Sequence, residues 1–305
     1  MSPSESTGSG GDSKAQLLII VMDMNPNQKL FLHDPTALTS VLDNLLCFAN
    51  AHLMLHPSNA LATLGSMASG SYFLYPPPDD PAADNEIRQL DGQYELFTLV
   101  ETTVRSKFIE LLQSEAGISS QTDSPLSGSL AMALSYINRR RKENMDLSAR
   151  ILVITASGDT ASQYMNYMNV FFTAQKLDVL LDTCMLQIDS PLLQQGADIT
   201  GGMYFNVPDN AALLQFLLWI FLPSAEMRPQ LGLPSANKVD FRAACFCHRQ
   251  LVDIGFVCSV CLSIFCKFSP ICTTCQTIFR VPPPLMGGKK KKSHAHGSSS
   301  VLKRK

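Results

Sequence analysis

The sequence predicts an α/β protein: a doubly wound, mostly parallel sheet flanked by helices, followed by a small zinc-binding domain. Three observations carry this. Leu17–Met22, Ile151–Thr155 and Val179–Leu186 are near-continuous apolar runs without polar alternation, as strands buried on both faces require. Segments with helical periodicity separate them, which is the pattern of parallel strands joined by crossover helices. Seven of the nine cysteines fall between Cys245 and Cys275.

Residues 1–16, rich in Ser and Gly, read as a flexible leader with no signal-peptide pattern. The first strand, Leu17–Met22, ends at Asp23. Asp34-Pro35 then opens a helix, with Asp as N-cap and Pro at the first helical position. Leu38, Val41, Leu42, Leu45, Ala49, His52 and Leu53 follow at helical spacing. Leu61–Met67 and Ser71–Tyr75, joined by Ala68-Ser69-Gly70, form a hairpin that adds an antiparallel edge strand. Pro76–Asp91, with four prolines and five acidic residues, is a surface loop.

Helices are expected over Tyr94–Gln113 and Gly128–Lys142, the second ending in the basic run Arg139–Lys142 that suits a helix C-terminus. The strand Ile151–Thr155, a helix over Ala161–Lys176 and the strand Val179–Leu186 come next. A short helix over Pro191–Asp198, a last strand Met203–Val207 and a strongly apolar helix Asn210–Leu222 complete a domain spanning 17–222. Residues 223–238, with three prolines, read as a linker. Residues 239–280 carry the cysteines, and residues 281–305 form a disordered basic tail.

Composition narrows the function. The chain has 305 residues and 33.4 kDa, with 46% hydrophobic residues, enough for a sizeable core. Its formal charge of −2 requires any nucleic-acid contact to be a local patch. No uninterrupted apolar run has the length of a membrane span; the nearest, Leu213–Leu222, is broken by Gln215. An intracellular, soluble protein without membrane contact is expected. No Ser-His-Asp pattern, phosphate-binding loop or dinucleotide fingerprint is present, so neither catalysis nor a small-molecule substrate is expected.

The cysteine-rich segment carries the most specific chemistry. Cys258-Ser-Val-Cys261 and Cys272-Thr-Thr-Cys275 are two C-x-x-C turns separated by ten residues, a spacing that suits one tetrahedral Zn²⁺. Four thiolates close the coordination sphere, so this zinc is structural. Cys245, Cys247, His248 and Cys266 remain. The order of pairs is RING-like, with pairs one and three sharing one ion and pairs two and four another. Cys266 is followed by no partner two residues on. Two readings stay open: Cys245, Cys247 or His248, and Cys266 hold a second zinc ion, or they are buried thiols packing with Phe246 and Phe265. Phe246, Phe256, Phe265 and Phe268 are either a small core around the metal or a stacking platform for bases. Lys289, Lys290, Lys291 and Lys292, with Lys303-Arg304-Lys305, read as a nuclear localisation signal or an arm giving weak, non-specific DNA contact. Cys47 and Cys184 read as plain core residues.

Asp23-Met24-Asn25-Pro26-Asn27, at the C-terminal end of the first strand, resembles a von Willebrand factor A (vWA) domain. The strand order and the Ile199-Thr200-Gly201-Gly202 turn agree. That resemblance implies a metal-ion-dependent adhesion site of the form Asp-x-Ser-x-Ser, with a distant Thr and a distant Asp. Here Asn25 and Asn27 stand in place of both serines. Ser127 or Ser129 is the stand-in for the Thr, and Asp159 for the second Asp. An amide carbonyl does not reproduce hydroxyl geometry in an octahedral shell, so the site is expected to be degenerate and Mg²⁺ is not expected.

Further motifs are Gln194-Gln195-Gly196-Ala197-Asp198-Ile199-Thr200-Gly201-Gly202, Leu217-Leu218-Trp219-Ile220-Phe221-Leu222-Pro223 and Asp240-Phe241-Arg242-Ala243-Ala244-Cys245. With the cysteine pattern, they make the chain resemble the 34-kDa-subunit family of TFIIH, the general transcription and DNA-repair factor, over residues 15–280. The resemblance implies a non-catalytic, nuclear core subunit acting in RNA polymerase II initiation and nucleotide excision repair. It also implies a partner: the other vWA and zinc subunit of TFIIH, which stimulates the repair helicase. The competing readings are a RING-like ubiquitin ligase, which needs two intact metal sites, a direct DNA-binding zinc protein and a cation-dependent adhesion module.

Overall fold

The computed structural model describes residues 15–34, 36–77, 93–115, 124–159, 163–234, 239, 241–248, 250–261 and 263–279. The leader up to residue 14, Pro35, the acidic loop from residue 78 to 92, and the tail with Lys289–Lys292 lie outside them. The chain divides into two compact units, residues 1–242 and 243–305.

The first unit is built on six strands: β1 (Gln16–Asp23), β2 (Ala60–Ser66), β3 (Ser71–Tyr75), β4 (Ser148–Thr155), β5 (Leu180–Leu186) and β6 (Tyr204–Val207). Their order is β3-β2-β1-β4-β5-β6, and only the edge pair β2–β3 is antiparallel. This is the vWA-like arrangement expected from the sequence. The helices are α1 (Lys29–His33), α2 (Ala37–Leu55), α3 (Gln93–Glu115), α4 (Leu126–Glu143), α5 (Tyr164–Lys176), α6 (Pro191–Thr200) and α7 (Leu213–Phe216).

Strand periodicity sorts β1 between two cores. Leu18, Ile20 and Met22 face a core with α2, α3 and α7; Leu17, Ile19 and Val21 face one with α4, α5 and α6. By length and composition alone α2 is apolar enough to cross a bilayer. Its face from Leu38 to Leu53 instead packs into the first core. The helix starts two residues later than expected, with Thr36 as N-cap, while the Asp34 carboxylate accepts hydrogen bonds from the Thr36 N–H and hydroxyl.

The Gly201-Gly202 turn has a steric reason. Gly201 ends α6 in the left-handed region at φ 73°, the conformation that favours glycine. A Cβ on Gly202 would lie 2.0 Å from the Leu181 carbonyl oxygen, so only glycine lets the turn approach β5.

Two expectations are corrected at the end of this unit. The last helix is not one continuous α-helix. It opens with a 3₁₀ turn at Asn210–Ala212, continues as α7, and widens into a π-turn at Leu217–Phe221. Its terminal carbonyls are taken up by buried Arg150, whose guanidinium donates to the oxygens of Phe221 (2.5 Å), Leu222 (3.1 Å) and Pro223 (3.1 Å). Burial pulls the Arg150 pKa down to about 10.

The segment read as a linker is also not free along its length. Residue Arg228 is 8% exposed and pairs with Asp182 of β5, itself 1% exposed, through contacts of 2.8 and 2.5 Å. The Asp182 carboxylate also accepts from the Met203 N–H at 2.8 Å.

His52 on α2 is fully buried, with Nε2 3.3 Å from the Ala60 carbonyl and no partner at Nδ1. Burial, then the charge of Arg150, lowers its pKa to about 4. Unfolded, the ring takes its proton near pH 6.5. Between those values the unfolded chain binds the extra proton, so this contribution to stability is lost as pH falls from about 6.5 towards 4. The expected loss is about 3 kcal/mol. His52→Leu should flatten the dependence of Tm on pH across that window; an unchanged slope would reject the assignment.

Candidate functional site

At the C-terminal edge of the sheet, Asp23 is 2% exposed and hydrogen-bonded on both oxygens. Its Oδ1 accepts from the Ser124 hydroxyl (2.6 Å) and the Asn25 N–H (3.3 Å). Its Oδ2 accepts from the hydroxyls of Thr155 and Ser157, both at 2.7 Å. Burial raises the carboxyl pKa above its ordinary value, and the hydroxyl bonds partly offset the rise. The Asn25 side-chain oxygen accepts from the Asn27 N–H at 3.0 Å, closing a turn within the loop.

The other residues expected at an adhesion-type site point elsewhere. Asp159 accepts from the Ser190 hydroxyl and from the Leu192 N–H (2.8 Å), so it caps the N-terminus of α6. Ser127 donates to Gln163 (3.2 Å), and the Ser129 hydroxyl pairs with Ser71 (2.7 Å). Neither serine takes the place expected of it; Ser124, just ahead of α4, reaches Asp23 instead. Sequence reasoning missed Ser124, Thr155 and Ser157, because hydroxyl residues at loop ends carry no spacing signal. The arrangement is a hydroxyl-lined carboxylate that ties three loops together.

The second unit is built from three alike hairpins. The strand pair β7 (Ala243–Ala244) and β8 (Leu251–Val252) flanks Cys245. The pair β9 (Phe256–Val257) and β10 (Ile264–Phe265) flanks Cys258. A bridge between Ile271 and Ile278 flanks Cys272. In each, the cysteine N–H donates to the carbonyl five residues on: Gln250, Ser263 and Thr277, all at 2.9 Å.

The structure brings Cys258, Cys261, Cys272 and Cys275 together, with all four sulfurs within 4.8 Å of one another and no disulfide formed. The Cys258–Cys275 and Cys261–Cys272 sulfurs are 3.6 and 3.5 Å apart. A tetrahedron with Zn–S bonds of about 2.3 Å has edges of roughly 3.8 Å. The Cys261 sulfur lies 3.1 Å from the Ser263 hydroxyl and the Cys275 sulfur 3.1 Å from the Thr277 hydroxyl, so each knuckle closes on a hydroxyl two residues on. Four soft sulfur donors and no carboxylate oxygen fit zinc and not a hard cation.

Cys245, Cys247, His248 and Cys266 form a second group, with their ligand atoms also within 4.8 Å of one another. Cys247 and His248 both reach the group, where only one of them was expected. Phe246 and Phe265 pack together, ring centres 6.4 Å apart, in the small core around Cys258 and Cys272. Phe256 and Phe268 meet edge to face at 5.9 Å but stay half-exposed, so they are not core.

The site and fold together define a class of protein in which a vWA-like sheet unit is followed by a small module of two cysteine-rich clusters. The chain belongs to the transcription factor Tfb4 family, whose model matches residues 15–276. It is 39% identical over 269 residues to the general transcription and DNA repair factor IIH subunit tfb4 of Schizosaccharomyces pombe, covering 88% of this chain and 90% of that one. It is 40% identical over 249 residues to general transcription factor IIH subunit 3 of Dictyostelium discoideum, covering 78% and 67%. Among solved structures, the TFIIH p34 N-terminal domain superposes with a TM-score of 0.59 at 30% identity, over 68% of this chain and 97% of that one.

Proposed function

We propose that the protein is a non-catalytic structural subunit of the TFIIH core, serving RNA polymerase II transcription initiation and nucleotide excision repair in the nucleus. Family membership supports this, since its relatives carry the names of TFIIH subunits. The observation that carries the structural part is the state of Asp23. Both of its oxygens accept hydrogen bonds from the protein, Asn25 closes its own turn and Asp159 is held at α6, which supports reading Asp23, Asn25, Asn27 and Asp159 as loop scaffolding at which Mg²⁺ is not expected. Zinc held by Cys258, Cys261, Cys272 and Cys275 would have no open position, and would supply folding energy and not chemistry.

The partner is the helicase-stimulating vWA and zinc subunit, and its zinc module seats on the outer face of α4. Two troughs flank this helix. One, of about 340 Å³, is lined by Leu134, Asn138, Val170 and Leu177; the other, of about 450 Å³, by Phe73, Met132, Tyr136 and Arg139. Ala131 and Ser135 line both and keep the ridge between them low. The Arg139 guanidinium sits 5.0 Å over the Tyr136 ring, placing a fixed cation at one end. Lys289–Lys292 serve as the nuclear import signal, with any DNA contact weak and confined to the tail.

The test is purification of the tagged full chain from its own nuclei, with co-purifying chains identified by mass spectrometry. TFIIH core subunits in fixed stoichiometry are expected. Ala131→Glu with Arg139→Glu should remove the zinc-bearing partner and leave Tm unchanged, because both side chains are on the outer face. A chain lacking residues 285–305 should be lost from the nuclear fraction. Recovery of a lone chain would reject the scaffold reading, and recovery of ubiquitin-conjugating enzymes would replace it with the ligase reading.

A further inference from the structure

We infer that the C-terminal edge of the sheet binds a structural water molecule beneath the start of α4, held by Ser66, the Asp23 carboxylate and the Ser71–Ser129 hydroxyl pair. The inference stands apart from the TFIIH reading and from the cysteine module.

The strand registers bring these groups together. Ser66 lies opposite Asp23 in the parallel β1–β2 pair and opposite Ser71 in the antiparallel β2–β3 pair. Register partners share one face of a sheet. Val21 and Leu64, two residues before Asp23 and Ser66, pack in the core that also holds Leu126 and Leu130 of α4. Ser71, Ser66 and Asp23 therefore continue that layer as a polar row across three strands, under the same helix. Thr155 extends the row on β4, where its hydroxyl donates to Asp23 at 2.7 Å. At the opposite end, fully buried Ser129 of α4 meets Ser71 at 2.7 Å.

Ser66 interrupts this row. It is 0% exposed, and its hydroxyl has no hydrogen-bond partner. A buried hydroxyl left unpaired is costly, and native cores seldom leave one so. Neighbouring strands lie about 4.8 Å apart, a gap that one water spans between side chains too far apart to bond directly. A buried water takes about three hydrogen bonds. Ser66 can donate and accept, and Asp23 can accept. The Ser71–Ser129 pair uses one hydroxyl proton for its own bond and keeps the other. Neutral hydroxyls on two sides suit water, whereas a hard cation would seek more charge than one carboxylate already bonded to three hydroxyls offers. The bridge ties the start of α4 to the sheet at Ser129, in addition to the bond from Ser124 to Asp23.

The test uses the full-length chain. High-resolution diffraction should show a density peak at about 2.6–3.1 Å from the Ser66 oxygen. Ser66→Ala should lower Tm by about 2–4 °C, the loss of roughly one hydrogen bond in a unit of this size. The sign decides, because removing a hydroxyl that is truly unpaired raises Tm instead. Ser66 and Asp23 make no direct bond, so coupling between them reports the bridge. In an Asp23→Asn background, the cost of Ser66→Ala should fall to less than half. A rise in Tm on Ser66→Ala, or no density beside Ser66, overturns the water site. A peak at about 2.0–2.6 Å, the range of hard cations, replaces the water with an ion. An equal cost of Ser66→Ala in both backgrounds overturns the link to Asp23.

Discussion

Cys258→Ser, or removal of metal by a chelator, is expected to unfold residues 243–279 and leave the sheet unit folded. The reason is the scarcity of core. Among the described residues of this module, the buried apolar cluster consists of Cys258, Phe265 and Cys272, and two of those are cysteines of the proposed zinc site. Its strands are two residues long, and their side chains at Phe256 and Val257 face solvent. A segment of this size has too little apolar surface to offset chain entropy. Structural zinc in comparable small modules contributes about 10–16 kcal/mol at neutral pH. Removing it exceeds any stability the module could hold in reserve. Amide exchange is the direct measurement. The N–H groups of Phe246, Cys258, Cys272 and Phe279, each bonded to a backbone carbonyl, should lose protection in the metal-free chain. Those of β1 and β4 should keep theirs. Retained protection at Phe279 without metal would refute the zinc dependence. Partner binding that survived chelation intact would also remove any role for this module in assembly.

Replacing Arg228 should be a costly change in the sheet unit. Arg228→Met leaves the Asp182 carboxylate in the core with its bidentate partner gone and only the Met203 N–H in direct contact. Breaking a buried pair from one side costs about 3–5 kcal/mol, because an uncompensated charge stays buried. For a unit of this size that is a fall in Tm of roughly 10 °C. The double change Asp182→Leu with Arg228→Met should recover part of the loss and not all of it, since buried Arg150 also interacts with the Asp182 charge and stays behind. A Tm for Arg228→Met within a degree of the wild type would show the pair to be idle. The same contact predicts that a chain ending at residue 222 unfolds more easily than one ending at 234, as only the longer one keeps Arg228.

The elements of the sheet were legible because their signals are short-range. The run Leu17–Met22 and the strand Val179–Leu186 read as buried strands, and the structure places them as β1 and β5 at the centre and towards one side of the sheet. The hairpin of β2 and β3 followed from one small-residue turn. The C-x-x-C pairs named their own partners, because each turn presents both thiolates in one direction. The π-turn at Leu217–Phe221 was not legible: helical periodicity is the same to within a residue, and the widening accompanies carbonyls bound by Arg150, which lies far back in the chain.

What the sequence determined by itself was therefore the α/β class, the strand order implied by the family resemblance, and the grouping of Cys258, Cys261, Cys272 and Cys275. All of these depend on residues within a turn or two of each other, or on a pattern long enough to be specific. Only the tertiary structure decided what meets Asp23, what neutralises Asp182 and how the second cysteine group is completed. Ser124, Thr155 and Ser157 reach Asp23 from 101, 132 and 134 residues away. Arg228 reaches Asp182 from 46 residues away, and Cys266 meets Cys247 across 19. Contacts of this kind are set by which strands lie side by side and in what register. Hydroxyls, one arginine and one histidine fit many local environments equally well, so their partners become defined only once the sheet and the knuckles have closed.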